Sequence, residues 1–392
     1  MRADNKGISE EHSADARAQV ASVIVDAYAG QLMPNAMVET FQTAETAFAT
    51  RLIRREGETK PLQYSDQPLR NYPIASGDNI YDLFDYVSRN RVAGLIVAHK
   101  AKVVLEHYDL GITPDTRWMS MSMAKSVSTT LVGAAIKDGY ITDVNDPLTK
   151  YLPDLSTSAY HETSVRELLQ MTSGVHWDDT HTDPTSERRK MLEMQVQQQP
   201  GAIVSYVASQ PREVPSGQRW NYSTGETHLV GALVQAATGK WLSDYLSEKI
   251  WQKLGMEHDA YWWLESVDGL EVAGSGICAT LRDYLRYAQF MATGGIIDGE
   301  RILPETWVAE ATAPRKIGEQ TVDYGYMWWP VRSSDHGWAD GAYAARGIFG
   351  QFMYINPAKE VTIVVLSARS KPKGAEVIID NDFFNATVAA LT

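Results

Sequence analysis

The sequence predicts an α+β fold: an antiparallel sheet flanked by helices, assembled from both ends of the chain, with a mostly helical lobe inserted between. Three observations carry this. Residues 92–108, VAGLIVAHKAKVVLEHY, form two β-rich runs around a polar break at His99 to Lys102, the pattern of an antiparallel hairpin. Residues 351–367 repeat it, with QFMYI and VTIVVLS flanking the turn sequence Asn356-Pro357-Ala358-Lys359. From roughly residue 122 to 290 the pattern is helical instead, in stretches such as SVSTTLVGAAIKDG, THLVGALVQAATG, WLSDYLSEKIWQKLG and TLRDYLRYAQFMATGG. Several of these end in glycine, the residue that most easily adopts the left-handed turn closing a helix. Strands early and late with helices between give one sheet and one inserted lobe.

The elements follow in order. Residues 13–33 place Val20, Val23, Ile24 and Tyr28 on one side of a helix. Residues 57–80 are polar and interrupted by Pro and Gly, which reads as a connector. Residues 1–79 are therefore expected to be an N-terminal extension and connector, and 80–392 the main domain. Its sheet part would span about 80–145 and 265–392, and its helical lobe about 146–264. The closing segment DFFNATVAALT reads as a C-terminal helix. At 392 residues the chain exceeds the size at which a single core stops growing, in keeping with two lobes.

Composition narrows the function. A hydrophobic fraction of 44% and a charged fraction of 22% are those of a soluble globular protein. The single cysteine, Cys278, makes an intrachain disulfide impossible and fits a reducing compartment. A net charge of -13 disfavours nucleic acid and anionic membrane as partners. The apolar runs are too short to span a bilayer, and the first residues show no apolar leader, so a cytoplasmic location is expected. No P-loop, dinucleotide fingerprint or Gly-x-Ser-x-Gly elbow occurs, and His176 and His181 do not form a His-Glu-x-x-His pair. No cofactor and no metal are expected.

The candidate nucleophile is Ser122, in RWMSMSMAKS. Val127, Leu131, Val132, Ala135 and Ile136 follow at helical spacing, which places Ser122 at a helix N-terminus, where free N–H groups favour negative charge. Residues three apart share a helix face, so Lys125 can meet Ser122. Burial would lower the lysine pKa from about 10.4 and free its amine to take the serine proton. Alone, Ser-x-x-Lys equally describes a capped, solvated helix start.

Such a pair needs a second proton carrier and an oxyanion site. The stretch 215–226, PSGQRWNYSTGE, runs from a Pro/Gly turn into an aromatic segment and then a helix from 227 to 238. It offers Tyr222 and Thr224, both on the loop before that helix; a tyrosine phenol beside an ammonium can lose or shuttle its proton near neutral pH, which makes Tyr222 the candidate proton carrier. A tyrosine satisfied by the backbone is the alternative. The stretch Arg346-Gly347-Ile348 precedes the strand at 351; its glycine allows close backbone approach and directs the Ile348 N–H toward a ligand. A Gly-rich strand start with no such role is the alternative there.

In this order and spacing the three motifs resemble the serine β-lactamase and penicillin-binding-protein superfamily. Within its class C β-lactamase-like branch, the chain is most similar to 6-aminohexanoate-dimer hydrolases and related esterases. The likeness runs from about residue 80 to 390. It rests on SMSMAKSVSTTLVGAAIKDGYITDVNDPLTKYLPDL, the MTSG turn, WNYSTGETHLVGAL, GSGICATLRDYLRYAQFM, YGYMWWP and RGIFGQFMYINP. It implies an acyl-forming Ser122 with Lys125 as partner and Tyr222 as the motif tyrosine. Thr224 stands where that motif carries Asn or Ser. The oxyanion donors would be the N–H groups of Ser122 and Ile348. Ala345 and Arg346 occupy the places of Lys and Thr in the Lys-Thr-Gly motif, whose glycine is Gly347; this departs from β-lactamases and peptidoglycan peptidases. Trp177 stands where dimer hydrolases present a tyrosine to the substrate. Trp177, Thr224, Arg346 and Gly347 are thus the substrate-binding candidates, and Asp178, Asp179 and Asp183 are candidates to meet a substrate amine. The expected partner is a small ester or amide, with a homodimer as the assembly to test. β-Lactamase or D-alanyl-D-alanine peptidase activity, and a non-catalytic ligand-binding role, remain the alternatives.

Overall fold

The structure is a computed structural model that describes residues 14–333 and 337–392, with side chains from residue 21 onward. Its main sheet has seven strands in the order Trp329–Arg332, Trp338–Gly347, Gln351–Asn356, Val361–Ser367, Val92–His99, Lys102–Tyr108 and Gln63–Tyr64. The last joins in parallel and every other neighbour is antiparallel. Both expected hairpins are present, and the seam between the two chain ends is the pairing of 361–367 with 92–99, with Val364 opposite Ile96. The α+β fold built from both ends is as expected.

Side chains alternate across a strand, and here both faces are covered. Leu95, Val97, Ile363, Val365 and Tyr354 pack on one face with Phe383 and Phe384 of the C-terminal helix Asp380–Leu391. Ile96, Ala98, Met353, Val364 and Leu366 lie in the other, larger core, where helix Leu281–Ala292 covers the sheet. Burial on both faces explains why these strands read as continuous apolar runs.

A second sheet, which the sequence did not suggest, positions the site. It orders Thr50–Ile53, Ala260–Trp263, Ile277–Thr280 and Arg117–Met119, all antiparallel. All four of these strands are only three or four residues long, too short for a period-two pattern to register. Residues read as an extension and connector thus contribute a strand, pinned by a buried Arg51–Glu271 ion pair at 2.8 Å. The helical pattern over 13–33 corresponds to helix Ala14–Tyr28, which stops short of residue 33, and a separate helix, Pro34–Gln42, follows; residue 13 and the Val20 side chain lie outside the described residues. The segment WLSDYLSEKIWQKLG is not one α-helix. It widens to a π-helix over Ser247–Trp251, where the Ser247 hydroxyl donates to the Ser243 carbonyl and accepts from the Arg54 N–H. No helix among the described residues is long and apolar enough to cross a membrane.

Candidate active site

Strand Arg117–Met119 delivers the chain to the site. The Ser120 N–H donates to the Ile277 carbonyl at 2.7 Å, and the Ser120 hydroxyl accepts from the Ile277 N–H at 3.1 Å. The chain then reverses through Met121, whose φ of 46° is in the left-handed region that costs a residue with a side chain roughly 1–2 kcal/mol. Ser122 follows as the first flanking residue of helix Met123–Lys137. Its side chain caps nothing, so the hydroxyl is spared for another partner.

That partner is Lys125. Its Nζ lies 3.0 Å from Ser122 Oγ and 3.0 Å from the Gly274 carbonyl, and the residue is 1% exposed. No carboxylate comes within 4 Å of the amine among the described residues. Burial pushes the lysine down to about 7; Asp179 opposes this, and the charges of Arg188 and Lys373 add to it. The amine is therefore substantially neutral at physiological pH.

Tyr222 completes a face over the lysine, whose Nζ sits 5.1 Å from its ring centroid. The phenol belongs to an aromatic wall in which Trp329 and Tyr324 each lie 5.9 Å from it. Burial drives its pKa above the ordinary value, Asp179 adds to the rise, and a hydrogen bond with Ser122 opposes it. A phenol that ionises near neutral pH, as the sequence reading allowed, is not what this environment makes. The following helix begins earlier than expected, at Thr224 rather than 227, because the Ser223 hydroxyl caps it by accepting from the Glu226 N–H at 3.0 Å. Thr224 is thus in the first helical turn. Its hydroxyl is buried without a partner among the described residues, while its N–H donates to Asp179 at 3.0 Å.

Gly347 ends its strand against the nucleophile turn. A Cβ there would sit 2.6 Å from the Ser120 carbonyl oxygen and 2.9 Å from the Met121 Cβ, so only glycine permits the approach. Ile348 follows, and neither its N–H nor that of Ser122 donates to a backbone acceptor among the described residues. Both amides are thus left unspent by the backbone where strand end and nucleophile turn meet.

The remaining candidates divide. Trp177 underlies the start of helix Thr224–Thr238: a Cβ on Gly225 would come within 2.5 Å of its ring. Its indole N–H donates to Asp179 at 2.8 Å, so Trp177 reaches the site as a packed wall with its donor engaged. Asp179 is 8% exposed; burial alone would raise its pKa, but His181, Lys125 and Arg188 bring it below the ordinary value. Asp178 accepts from the Thr180 N–H and Asp183 from Thr185, local turns that do not involve Ser122. Arg346 points to the opposite face of the sheet from Ala345: its guanidinium donates to Asn381 of the C-terminal helix at 3.1 Å and lies 5.6 Å from the Trp329 ring centroid. It does not take up the place vacated by a Lys-Thr-Gly lysine, because neighbouring residues of a strand face opposite ways. The sequence reading missed the Gly274 carbonyl, Met121, Tyr28 and Arg188. No group of three His, Cys, Asp or Glu among the described residues is placed to hold a metal ion.

The family model described as Beta-lactamase matches residues 84–384. A 6-aminohexanoate-dimer hydrolase of Paenarthrobacter ureafaciens is 27% identical over 307 residues, covering 74% of this chain and 76% of the relative. A putative 6-aminohexanoate-dimer hydrolase from Bacillus anthracis superposes with a TM-score of 0.79 at 20% identity, covering 91% of this chain and 94% of that one. A family VIII carboxylesterase superposes with a TM-score of 0.58 at 16% identity, over 77% and 92%.

Proposed function

The chain belongs to the β-lactamase family, and from that membership we propose that it is a serine hydrolase acting through an acyl-enzyme on small carboxylic esters and on linear amides of the 6-aminohexanoate-oligomer kind. The observation that carries the reading is the buried Lys125 amine, 3.0 Å from Ser122 Oγ and without a carboxylate to hold its proton.

The steps follow from the groups present. Lys125, neutral above about pH 7, accepts the Ser122 proton as Oγ attacks the carbonyl carbon. The N–H groups of Ser122 and Ile348 receive the oxyanion. Tyr222, a neutral phenol, donates its proton to the departing alkoxide or amine and is reprotonated by the Lys125 ammonium. Water then attacks the acyl carbon, losing its proton to the same pair, and Ser122 Oγ leaves with a proton. The family likeness to a 6-aminohexanoate-dimer hydrolase supports an amide substrate, and the carboxylesterase superposition is consistent with an ester. Ala345, buried and uncharged at the head of the Ala-Arg-Gly segment, offers no cation to the carboxylate of a β-lactam.

A panel of p-nitrophenyl esters, 6-aminohexanoate dimer and nitrocefin, run beside fluorophosphonate labelling, tests this. Ester or dimer turnover is expected, with a single adduct on Ser122. Ester hydrolysis that persists in purified Ser122→Ala would remove Ser122 from the mechanism.

A further inference from the structure

Two buried carboxylates of this molecule meet an arginine in direct contact, Glu271 with Arg51 and Asp380 with Arg369. Asp179, in the loop before helix Glu187–Val196, is built differently. Its side chain is 8% exposed, yet no Lys or Arg nitrogen lies within 4 Å of it among the described residues. Oδ1 accepts two bonds, from the Trp177 indole at 2.8 Å and from the Thr224 N–H at 3.0 Å. Oδ2 is buried and accepts none among the described residues; His181 Nε2 stands 3.8 Å from it. An ionised carboxyl has about four acceptor positions, so half of this one is unspent.

The two bonds it does make fix where its charge sits. Thr224 opens helix Thr224–Thr238, two residues after Tyr222. A Cβ on Gly274 would stand 3.0 Å from the Thr224 methyl carbon and 3.2 Å from Lys125 Nζ, and the Gly274 carbonyl accepts from that amine. Asp179, Thr224, Gly274 and Lys125 thus form one line of contacts. Burial is the largest influence on the protons of Lys125 and Tyr222, and Asp179 is the next for both, acting to retain each proton. Asp179 itself stays ionised: burial opposes its charge, but His181, Lys125 and Arg188 outweigh burial. Arg188 is the permanent cation of the three, since burial pushes His181 down to about 3 and Lys125 down to about 7.

We propose that Asp179 is a positioning residue of the reaction, standing at one remove from Lys125 as counter-ion to the ammonium that forms when the amine takes the Ser122 proton. This rests on the acyl-enzyme reading above and deepens it. In that step the Oγ–H bond breaks, the freed electron pair forms the bond to the carbonyl carbon, and the proton becomes the third on Nζ. A positive charge then appears where burial disfavours one. The distance matters. A carboxylate bonded to Nζ would hold the proton at rest and leave no base, whereas attraction across a longer gap stabilises the ammonium once it forms. Through Trp177 and Thr224 the same carboxylate ties its loop to the helix start beside Tyr222.

Asp179→Asn keeps an oxygen for Trp177 and Thr224 and removes the charge. A lysine that loses a nearby negative charge gives up its proton at lower pH. Tyr222, whose proton burial holds, and the cations Arg188 and Lys373 also act on or face Lys125, and the substitution alters none of them. The acid limb of kcat/KM for a p-nitrophenyl ester is expected near pH 7 in native enzyme. In Asp179→Asn it should move down by about one pH unit, and the plateau above it should drop by about three- to tenfold, because the ammonium has lost its counter-ion. The same proton is read without turnover by nuclear magnetic resonance of protein isotope-labelled at lysine Cε. The resonance absent from Lys125→Met belongs to Lys125, and its midpoint should fall likewise in Asp179→Asn. A midpoint that stays or rises overturns the proposal. So does Asp179→Asn protein that fails to fold, which would assign the carboxylate to the fold. So does a KM rise confined to 6-aminohexanoate dimer with the midpoint unmoved, which would assign it to a substrate amine. Native protein that hydrolyses no ester or amide, with a midpoint that still falls in Asp179→Asn, overturns the hydrolase reading and leaves the counter-ion standing.

Discussion

Two buried polar clusters lie on opposite faces of the main sheet, and they are built on opposite rules. On the outer face Arg369 donates to both oxygens of Asp380, at 2.9 Å and 2.5 Å, and the Tyr86 hydroxyl donates to the same carboxylate at 2.8 Å. Burial works against the guanidinium's charge, but Asp380 outweighs it and holds its pKa above the ordinary value. This cluster joins the strand end at Ser367 to the C-terminal helix, and the cation in it has its counter-ion in place. On the inner face Lys125 has a hydroxyl and a carbonyl but no bonded carboxylate, and its charge is driven off. Arg188, on the same side, donates to the Tyr28 hydroxyl and has no carboxylate within 4 Å among the described residues. A buried charge with its counter-ion in place fixes structure; a buried basic group without one is poised to take a proton or an anion from something else.

The sharpest way to break the comparison is to remove each cation by the same substitution. Lys125→Met should lower ester turnover by ~10³-fold or more, since it deletes the base, and should leave the melting temperature at or above native, since it also deletes the penalty of burying an amine. Tyr222→Phe, which removes the proton carrier and keeps the ring, should cost less, about 10²- to 10³-fold. Steady-state kinetics with a p-nitrophenyl ester and a thermal melt read both; Lys125→Met protein that melts well below native would mean the amine is a structural ion after all.

Arg369→Met should do the reverse. It strands the Asp380 carboxylate in a buried place, which destabilises by about 3–5 kcal/mol in comparable pairs. The folded fraction that remains should turn over esters at close to the native rate per active site, counted by fluorophosphonate titration. Native-like stability in urea would show that the cluster is not the clamp its hydrogen bonds describe.

How much of this the sequence carried depends on how far each signal reaches along the chain. The two hairpins are local apolar, β-branched runs on either side of a polar turn, and both were legible. Ser122 and Lys125 are one helical turn apart, so their meeting could be read directly. Tyr222 and Gly347-Ile348 needed the family resemblance, because nothing local says that a loop at 222 and a strand end at 347 share a cleft. Arg188 and Tyr28 are separated by 160 residues and carry no motif, so their contact was out of reach. The protonation of Tyr222 was misread for a different reason: a neighbouring ammonium was assumed, and burial removed both that charge and the phenol's ability to ionise. Two signals were present and passed over. Ser223-Thr224-Gly225-Glu226 is a capping sequence that starts the helix at Thr224. Strand alternation through Ala345, Arg346 and Gly347 already turns Arg346 away from the face that Gly347 presents to Ser120.

Glu226 offers the finest test, because it shares the inner face and carries a negative rather than a positive group. It lies in the first turn of helix Thr224–Thr238, where a carboxylate is normally favoured, yet one oxygen meets only the Ser173 hydroxyl and the other is buried without a partner among the described residues. Burial raises its pKa to about 8, against the smaller opposing effect of Ser173. A carboxyl that binds its proton more tightly folded than unfolded contributes stability that is full below about pH 4.5 and is lost as pH climbs through about 8. Native protein should therefore lose melting temperature between pH 5 and pH 9 relative to Glu226→Gln, which keeps the shape and cannot ionise. Lys125 imposes the opposite demand on activity, which rises as pH passes about 7. The helix that carries Thr224 and follows Tyr222 thus loosens just above the range in which the base becomes active, giving native turnover a narrow alkaline shoulder. Glu226→Gln should extend that shoulder to higher pH without moving the acid limb. A melting difference that stays constant from pH 5 to pH 9 would show that Glu226 does not change its proton there, and that the inner face tolerates a buried anion as readily as the outer one.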